Sequence, residues 1–116
     1  MKKEDWIWMP HPAHFCCASR CFFRLATYVG KYIVSTVGEM EATEIDRKFN
    51  PDSQFAEVGL DRLYETMVFH ARKSNCKACK YEIIVKKGEI EAQGYNSPEE
   101  AMQGHMELCE KYSNII

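Results

Sequence analysis

From Phe22 to Gly38 the chain reads FFRLATYVGKYIVSTVG, a run dominated by aromatic and β-branched residues and interrupted only by the charges of Arg24 and Lys31. Such residues suit a half-buried pleated surface, and Gly30 near the middle permits a tight turn. The pattern predicts a β-hairpin with strands at 22–29 and 32–38. Glu39 to Phe49 then places Met40, Ile45 and Phe49 among charged residues, which predicts a short helix that stops near Asn50-Pro51. Pro51-Asp52-Ser53-Gln54 reads as a turn, and Gly59 punctuates the segment beyond it. Leu63 to Ala71 (LYETMVFHA) alternates as a strand, while Phe55, Val58, Leu63 and Met67 leave a helical start as the alternative. A basic loop from Arg72 to Lys80 separates it from YEIIV (81–85) and IEAQGY (90–95), which predict a second hairpin across Lys86-Lys87-Gly88-Glu89. The last element is a helix from Pro98 to about Tyr112. Ser97 stands at its cap, proline at its first position and Glu100 three residues after the serine. Gly104 weakens this helix slightly, and Ala101, His105, Leu108, Cys109 and Tyr112 share one side of it.

Before the hairpin, Trp6 to Met9 leads into Pro10-His11-Pro12, whose prolines favour an extended arm. Its tryptophans serve either to cap the core or to stand out as binding anchors. At 116 residues the chain fits one α+β domain spanning 1–116, an antiparallel sheet of four to five strands packed on the carboxy-terminal helix. The net charge of -2 argues against both a phosphate-backbone binder and an acidic mimic of DNA. The apolar run at 6–9 is too short for a signal peptide, and no run approaches the length of a membrane span, so a cytoplasmic location without membrane association is expected. In that reducing compartment, six cysteines read as thiols or metal ligands rather than disulfides.

Met9 to Cys21 (MPHPAHFCCASRC) concentrates two histidines and three cysteines. Thiolates and neutral imidazoles are preferred ligands of tetrahedral zinc, and a local pair commonly closes on a second pair from another element. The best distant pair is His105 and Cys109, one helical turn apart on one face. The expected ligand set is therefore Cys17, Cys21, His105 and Cys109, with Cys79 and His14 in reserve; the alternative is that the cysteines are simply small buried apolar residues and His105 a satisfied histidine. Four protein ligands make the zinc structural and leave no open position for chemistry.

The Cys76-x2-Cys79 pair has the spacing of a zinc knuckle and competes with that set, but lacks a second nearby pair. A thioredoxin-like role for it lacks the βαβ setting. His105-Met106-Glu107 matches the His-x-Glu of zinc deaminases, yet the required Pro-Cys-x2-Cys does not come after it. A metal-dependent nuclease or hydrolase would need an open site with Glu39 or Glu65 as base. Arg72, Lys73, Lys77 and Lys80, with Tyr81 for stacking, define the alternative of a nucleic-acid-binding accessory protein. A solvated basic loop is the commoner meaning of such a cluster.

MPHPAHF, Cys17-x3-Cys21, TYVGKYIVSTVGE (27–39), YETMVF (64–69), and GYN (94–96) with GHM (104–106) and Cys109 together resemble small proteins encoded by tailed phages and prophages. The likeness runs over nearly the whole chain. It departs at Cys16, where an apolar residue is expected, and over 41–62, which is shorter than usual. The resemblance implies a protein that blocks a host-defence machine of the bacterial cell, since some zinc-containing proteins of this kind are anti-CRISPR inhibitors of type II effector nucleases. The expectation is thus a non-enzymatic, zinc-stapled module that binds a protein partner, a bacterial immune effector nuclease, without contacting nucleic acid directly.

Overall fold

The structure is a computed structural model that describes residues 1–10, 18–49, 51–52 and 54–115. In chain order its elements are β1 (Ile7–Trp8), β2 (Cys21–Tyr28), β3 (Tyr32–Glu41), α1 (Glu44–Phe49), β4 (Phe55–Ala56), β5 (Tyr64–Lys73), β6 (Tyr81–Ile83), β7 (Glu89–Tyr95) and α2 (Pro98–Ser113). The strands form one antiparallel sheet, seven-stranded among the described residues, with α2 on one face: an α+β fold.

The β2–β3 hairpin forms where the apolar run predicts it. Val29 N–H donates to the Tyr32 carbonyl at 3.0 Å, and Gly30 takes φ +108, a conformation that L side chains rarely adopt. β3 and β5 are central, and consecutive residues along most of β3 and the first part of β5 are buried, so both faces of the sheet are covered there. The face beneath α2 carries a core of Trp6, Val29, Val34, Val68, Leu108 and Tyr112. The other face carries Ile33, Phe69 and Ile83. Trp6 therefore caps the core, whereas Trp8 is half exposed on β1. No helix among the described residues is long and apolar enough to cross a membrane.

Three expectations need correction. The sheet has more strands than expected because short pieces at β1 and β4 join it. YEIIV and IEAQGY do not pair with each other: β6 lies against Ala71–Lys73 and β7 against Tyr64–Phe69, along the same edge of β5. The short turn at Val85–Lys87 displaces the chain without reversing it, and Ile84 N–H, bonded to the His70 carbonyl at 2.8 Å, keeps the chain on that edge. The short helix starts only at Glu44, since Glu39–Glu41 continue β3 and pair in part with β4. Thr43 and Asp46 close a capping box at that point, with Asp46 N–H donating to Thr43 Oγ1 at 3.2 Å and Thr43 N–H to the Asp46 carboxylate at 2.8 Å.

α2 begins as its sequence predicts. Ser97 Oγ accepts Glu100 N–H at 3.1 Å, and Ala101, Gly104, His105, Leu108, Cys109 and Tyr112 form the buried stripe. A Cβ at Gly104 would overlap the phenol of Tyr95, so this glycine allows the helix to lie close against β7. Gly104→Ala should therefore destabilise the protein by up to about 2 kcal/mol in urea unfolding, overpacking of about 1–3 kcal/mol being offset by a propensity gain of about 1 kcal/mol. A more stable variant would contradict the close contact.

Candidate functional site

The residues expected to hold zinc do not converge among the described residues. Cys17 and His14 lie outside the described residues. Cys21 starts β2 and is buried, but it is six residues along the strand from Thr27, about 20 Å at the usual rise. Thr27 is where the other expected ligands are: its side chain bonds Cys109 Sγ, and its Oγ1 is 2.8 Å from His105 Nε2. Cys79 lies in the loop beyond the far end of β5. Among the described residues no three histidine, cysteine or carboxylate side chains form a cation shell, so the zinc staple finds no support in them.

His105 has another occupation. It is fully buried, with Nδ1 2.6 Å from Thr36 Oγ1, and Thr36 Oγ1 is in turn 2.6 Å from Thr66 Oγ1. Thr66 bonds the Tyr95 hydroxyl, which donates to Gln93 Oε1 at 3.4 Å. Gln93 Nε2 donates to Glu91 at 2.8 Å, and Glu91 also accepts Lys111 Nζ at 2.8 Å and the Tyr112 hydroxyl at 2.7 Å. These donors hold the Glu91 carboxyl down at about 2, so the far end of the chain is an anion that only accepts. With Tyr95 donating to Gln93, the consistent assignment has Tyr95 accepting from Thr66, Thr66 from Thr36, Thr36 from His105 Nδ1–H, and Nε2 accepting from the Thr27 hydroxyl, which also meets Cys109 Sγ. Both ring nitrogens are engaged by hydroxyls, and neither is free for a metal.

Burial holds His105 down at about 4 and pushes the Cys109 thiol up to about 12. At neutral pH the pair is an uncharged imidazole beside an uncharged thiol, with Trp8 over the ring at 5.5 Å between centroids. That is not a nucleophile and base, because a thiol so held supplies almost no thiolate. The carboxylates that an open metal site would use are also committed. Glu39 accepts the Tyr64 hydroxyl at 2.8 Å, and Glu65 is 3.5 Å from Arg62. The basic loop offers no stacking platform through Tyr81, whose ring already lies 3.6 Å from that of Tyr28, and Arg72 is paired with Glu82 at 3.1 Å.

The surface suited to function lies at the other end of β5, where α1, β4 and the turn at 57–62 meet. Val58 N–H donates to the Arg62 carbonyl at 3.0 Å and Arg62 N–H to the Gly59 carbonyl at 3.2 Å. Asp61 takes φ +57 and its N–H donates to the Glu57 carboxylate at 3.0 Å. Asn96 fastens the turn to the sheet edge, accepting Leu63 N–H at 3.1 Å and donating to the Asp61 carbonyl at 3.2 Å. Arg62 lies so close over Gly59 and Gly94 that a side chain at either would collide with it. The result is a braced turn that leaves Leu60 84 % exposed, and Phe49 at the end of α1 is 87 % exposed. Between α1, β4 and this turn opens a groove of about 540 Å³ whose lining includes Asp46, Phe49, Phe55, Glu57, Arg62 and Leu63. Phe22, itself exposed, sits 6.2 Å from Phe55 and widens the apolar area.

The sequence did not single out Thr27, Thr36, Thr66 or Leu60. The threonines carry a legible signal, a polar residue recurring at inward positions of otherwise apolar strands. Leu60 carries one too, an isolated apolar residue in a polar turn. No protein-family model, curated protein or solved structure matches this chain.

The relay predicts a pH dependence. Unfolded chains protonate histidine near 6.5, whereas folded His105 waits until about 4, so between these values the unfolded state binds the extra proton. Stability should be undiminished by this group above about 6.5 and should fall by on the order of 3 kcal/mol as pH drops to about 4. Urea unfolding at stepped pH checks it, with His105→Gln losing that component while remaining less stable at pH 7. A wild-type profile flat from pH 7 to 4 would contradict it.

Proposed function

We propose that the chain is a protein-binding module that inhibits by occupation, docking through the apolar end formed by α1, β4 and the turn at 57–62. The observation that carries this reading is the braced turn. Its hydrogen bonds and the left-handed Asp61 hold Leu60 in water, and Phe49 is exposed in the lining of the adjoining groove, an arrangement that burial inside this chain does not reward. Anchors that are already ordered bind with little entropic loss.

The rim defines the partner's chemistry. Asp46, Glu57 and Asp61 border the groove, and the guanidinium of Arg62 in its lining is turned toward Glu65. Hydrogen bonds from Thr43 hold the Asp46 carboxyl below the usual carboxylate range. A complementary surface is apolar with arginines or lysines around it, which is the character of a nucleic-acid-binding enzyme. The resemblance to phage-encoded proteins leads to the same class, a bacterial immune nuclease, and makes a type II CRISPR effector the first target to test. Inhibition would result from covering a basic surface or blocking a movement of one of its domains.

The test is binding and DNA cleavage with purified type II effectors. Wild-type protein should form a complex and suppress cleavage. Phe49→Ala with Leu60→Asp should weaken binding by about 10- to 100-fold, the worth of one or two interface anchors, without lowering the unfolding midpoint. Unchanged inhibition by the double variant would exclude this surface as the docking site, and no complex with any effector would exclude the target.

A further inference from the structure

The loop joining β5 to β6 reads SNCKACK (74–80) and is more ordered than a solvated basic loop requires. Lys80 N–H donates to the Cys76 carbonyl at 3.0 Å, closing a turn that brings the two cysteines together. Ser74 N–H donates to the Lys80 carbonyl at 2.8 Å across the neck, and Ser74 Oγ accepts Cys76 N–H at 3.1 Å. Lys80 is held at φ +60, and the adjacent Tyr81 is stacked on Tyr28, so the root of the loop is fixed to the sheet. Within this frame Cys76 Sγ accepts the backbone N–H groups of Ala78 and Cys79 and the thiol hydrogen of Cys79. Cys76 is exposed and Cys79 is half-buried.

We propose that Cys76 and Cys79 form a thiol–disulfide exchange site, in which Cys76 attacks an acidic low-molecular-weight disulfide and Cys79 resolves the product. The roles reflect the asymmetry of the pair. Cys76 is accessible and its sulfur is surrounded by donors that favour the thiolate, which lowers its pKa below the ordinary thiol range. Cys79 gives its hydrogen to Cys76 and is raised above that range, so it stays a thiol until the first step has consumed the neighbouring negative charge. Lys73, Lys77 and Lys80 flank the pair, and a substrate bearing carboxylates matches them.

In the first step Cys76 thiolate attacks one sulfur of the disulfide, forming a mixed disulfide and releasing one thiolate of the substrate. Cys79 then loses its proton to solvent and attacks Cys76 Sγ. The Cys76–Cys79 bond forms, the mixed disulfide breaks, and the second substrate thiolate leaves. The protein is oxidised by two electrons and the small disulfide reduced by two. The Cys76–Lys80 hydrogen bond holds both cysteines within one turn of the loop. The chain supplies both partners of such a bond but, among the described residues, only two of the four ligands a structural zinc site requires, which favours exchange over metal binding.

The test uses the full chain, reduced and then treated with oxidised glutathione, with each cysteine located by peptide mapping. Wild-type protein should lose both thiol hydrogens at Cys76 and Cys79 and retain no glutathione there. Cys79→Ser should stop at glutathione bound to Cys76, and Cys76→Ser should leave Cys79 unmodified. Iodoacetamide at pH 7 should alkylate Cys76 about tenfold faster than Cys79, as expected for a donor-stabilised thiolate. Both variants lie in the surface loop, and an unchanged unfolding midpoint confirms that they fold. Equal alkylation rates, a lasting mixed disulfide on wild-type Cys76, or zinc retained by the pair and shielding it from alkylation would each overturn the proposal.

Discussion

The placement of α2 on the sheet turns on one imidazole. His105 bridges β2 and β3 through the hydroxyls of Thr27 and Thr36, and the bonds continue through Thr66 and Tyr95 to β7. A polar group without a partner in such surroundings costs about 1–3 kcal/mol, so a relay that satisfies each member defines one helix position and penalises any shift along or around the axis. The apolar contacts of Leu108 and Tyr112 supply attraction but tolerate sliding; the hydrogen bonds do not. Glu91 receives Lys111 and Tyr112 from the last turns of the helix, so both ends of the interface are pinned.

That central rigidity leaves the two ends of the molecule free for different work. At one end, the braced turn at 57–62 leaves Leu60 in water next to a groove that is lined by Phe49 and bordered by carboxylates. At the other, the loop after β5 presents a fixed dithiol among lysines. Both are hydrogen-bonded loops rooted in the long central strand β5. Neither shares a residue with the buried relay, so binding or oxidation at either end is compatible with an unchanged core.

Much of the fold was legible in the chain because its signals were local. The hairpin around Gly30, the strand at 64–73 and the capped helix at 98–113 each arise from the pattern of apolar residues with turn or cap chemistry. The second hairpin failed because β6 and β7 have alternating patterns that any sheet edge accepts; only the bond of Ile84 to His70 and the turn at 85–87 decide which edge they join. The candidate site was less legible. His105 and Cys109 were correctly placed on the inward face of the helix, but spacing alone does not distinguish a ligand from a histidine satisfied by hydroxyls. What distinguishes them is the register that puts Thr36 beside Thr66 on neighbouring strands, a long-range fact. Leu60 was passed over because a turn residue reveals its exposure only once the turn is seen to be braced.

If hydrogen bonds, rather than a cation, join the last helix to the sheet, the His105 ring must be indifferent to metal. Nitrogen-15 NMR of that ring, recorded before and after exhaustive chelation and again with added zinc, is the decisive experiment. The relay predicts a neutral ring carrying its hydrogen on Nδ1, with identical resonances in all three samples and a folded protein throughout. A ring nitrogen shifted by zinc, or a protein that unfolds when chelated, would contradict it.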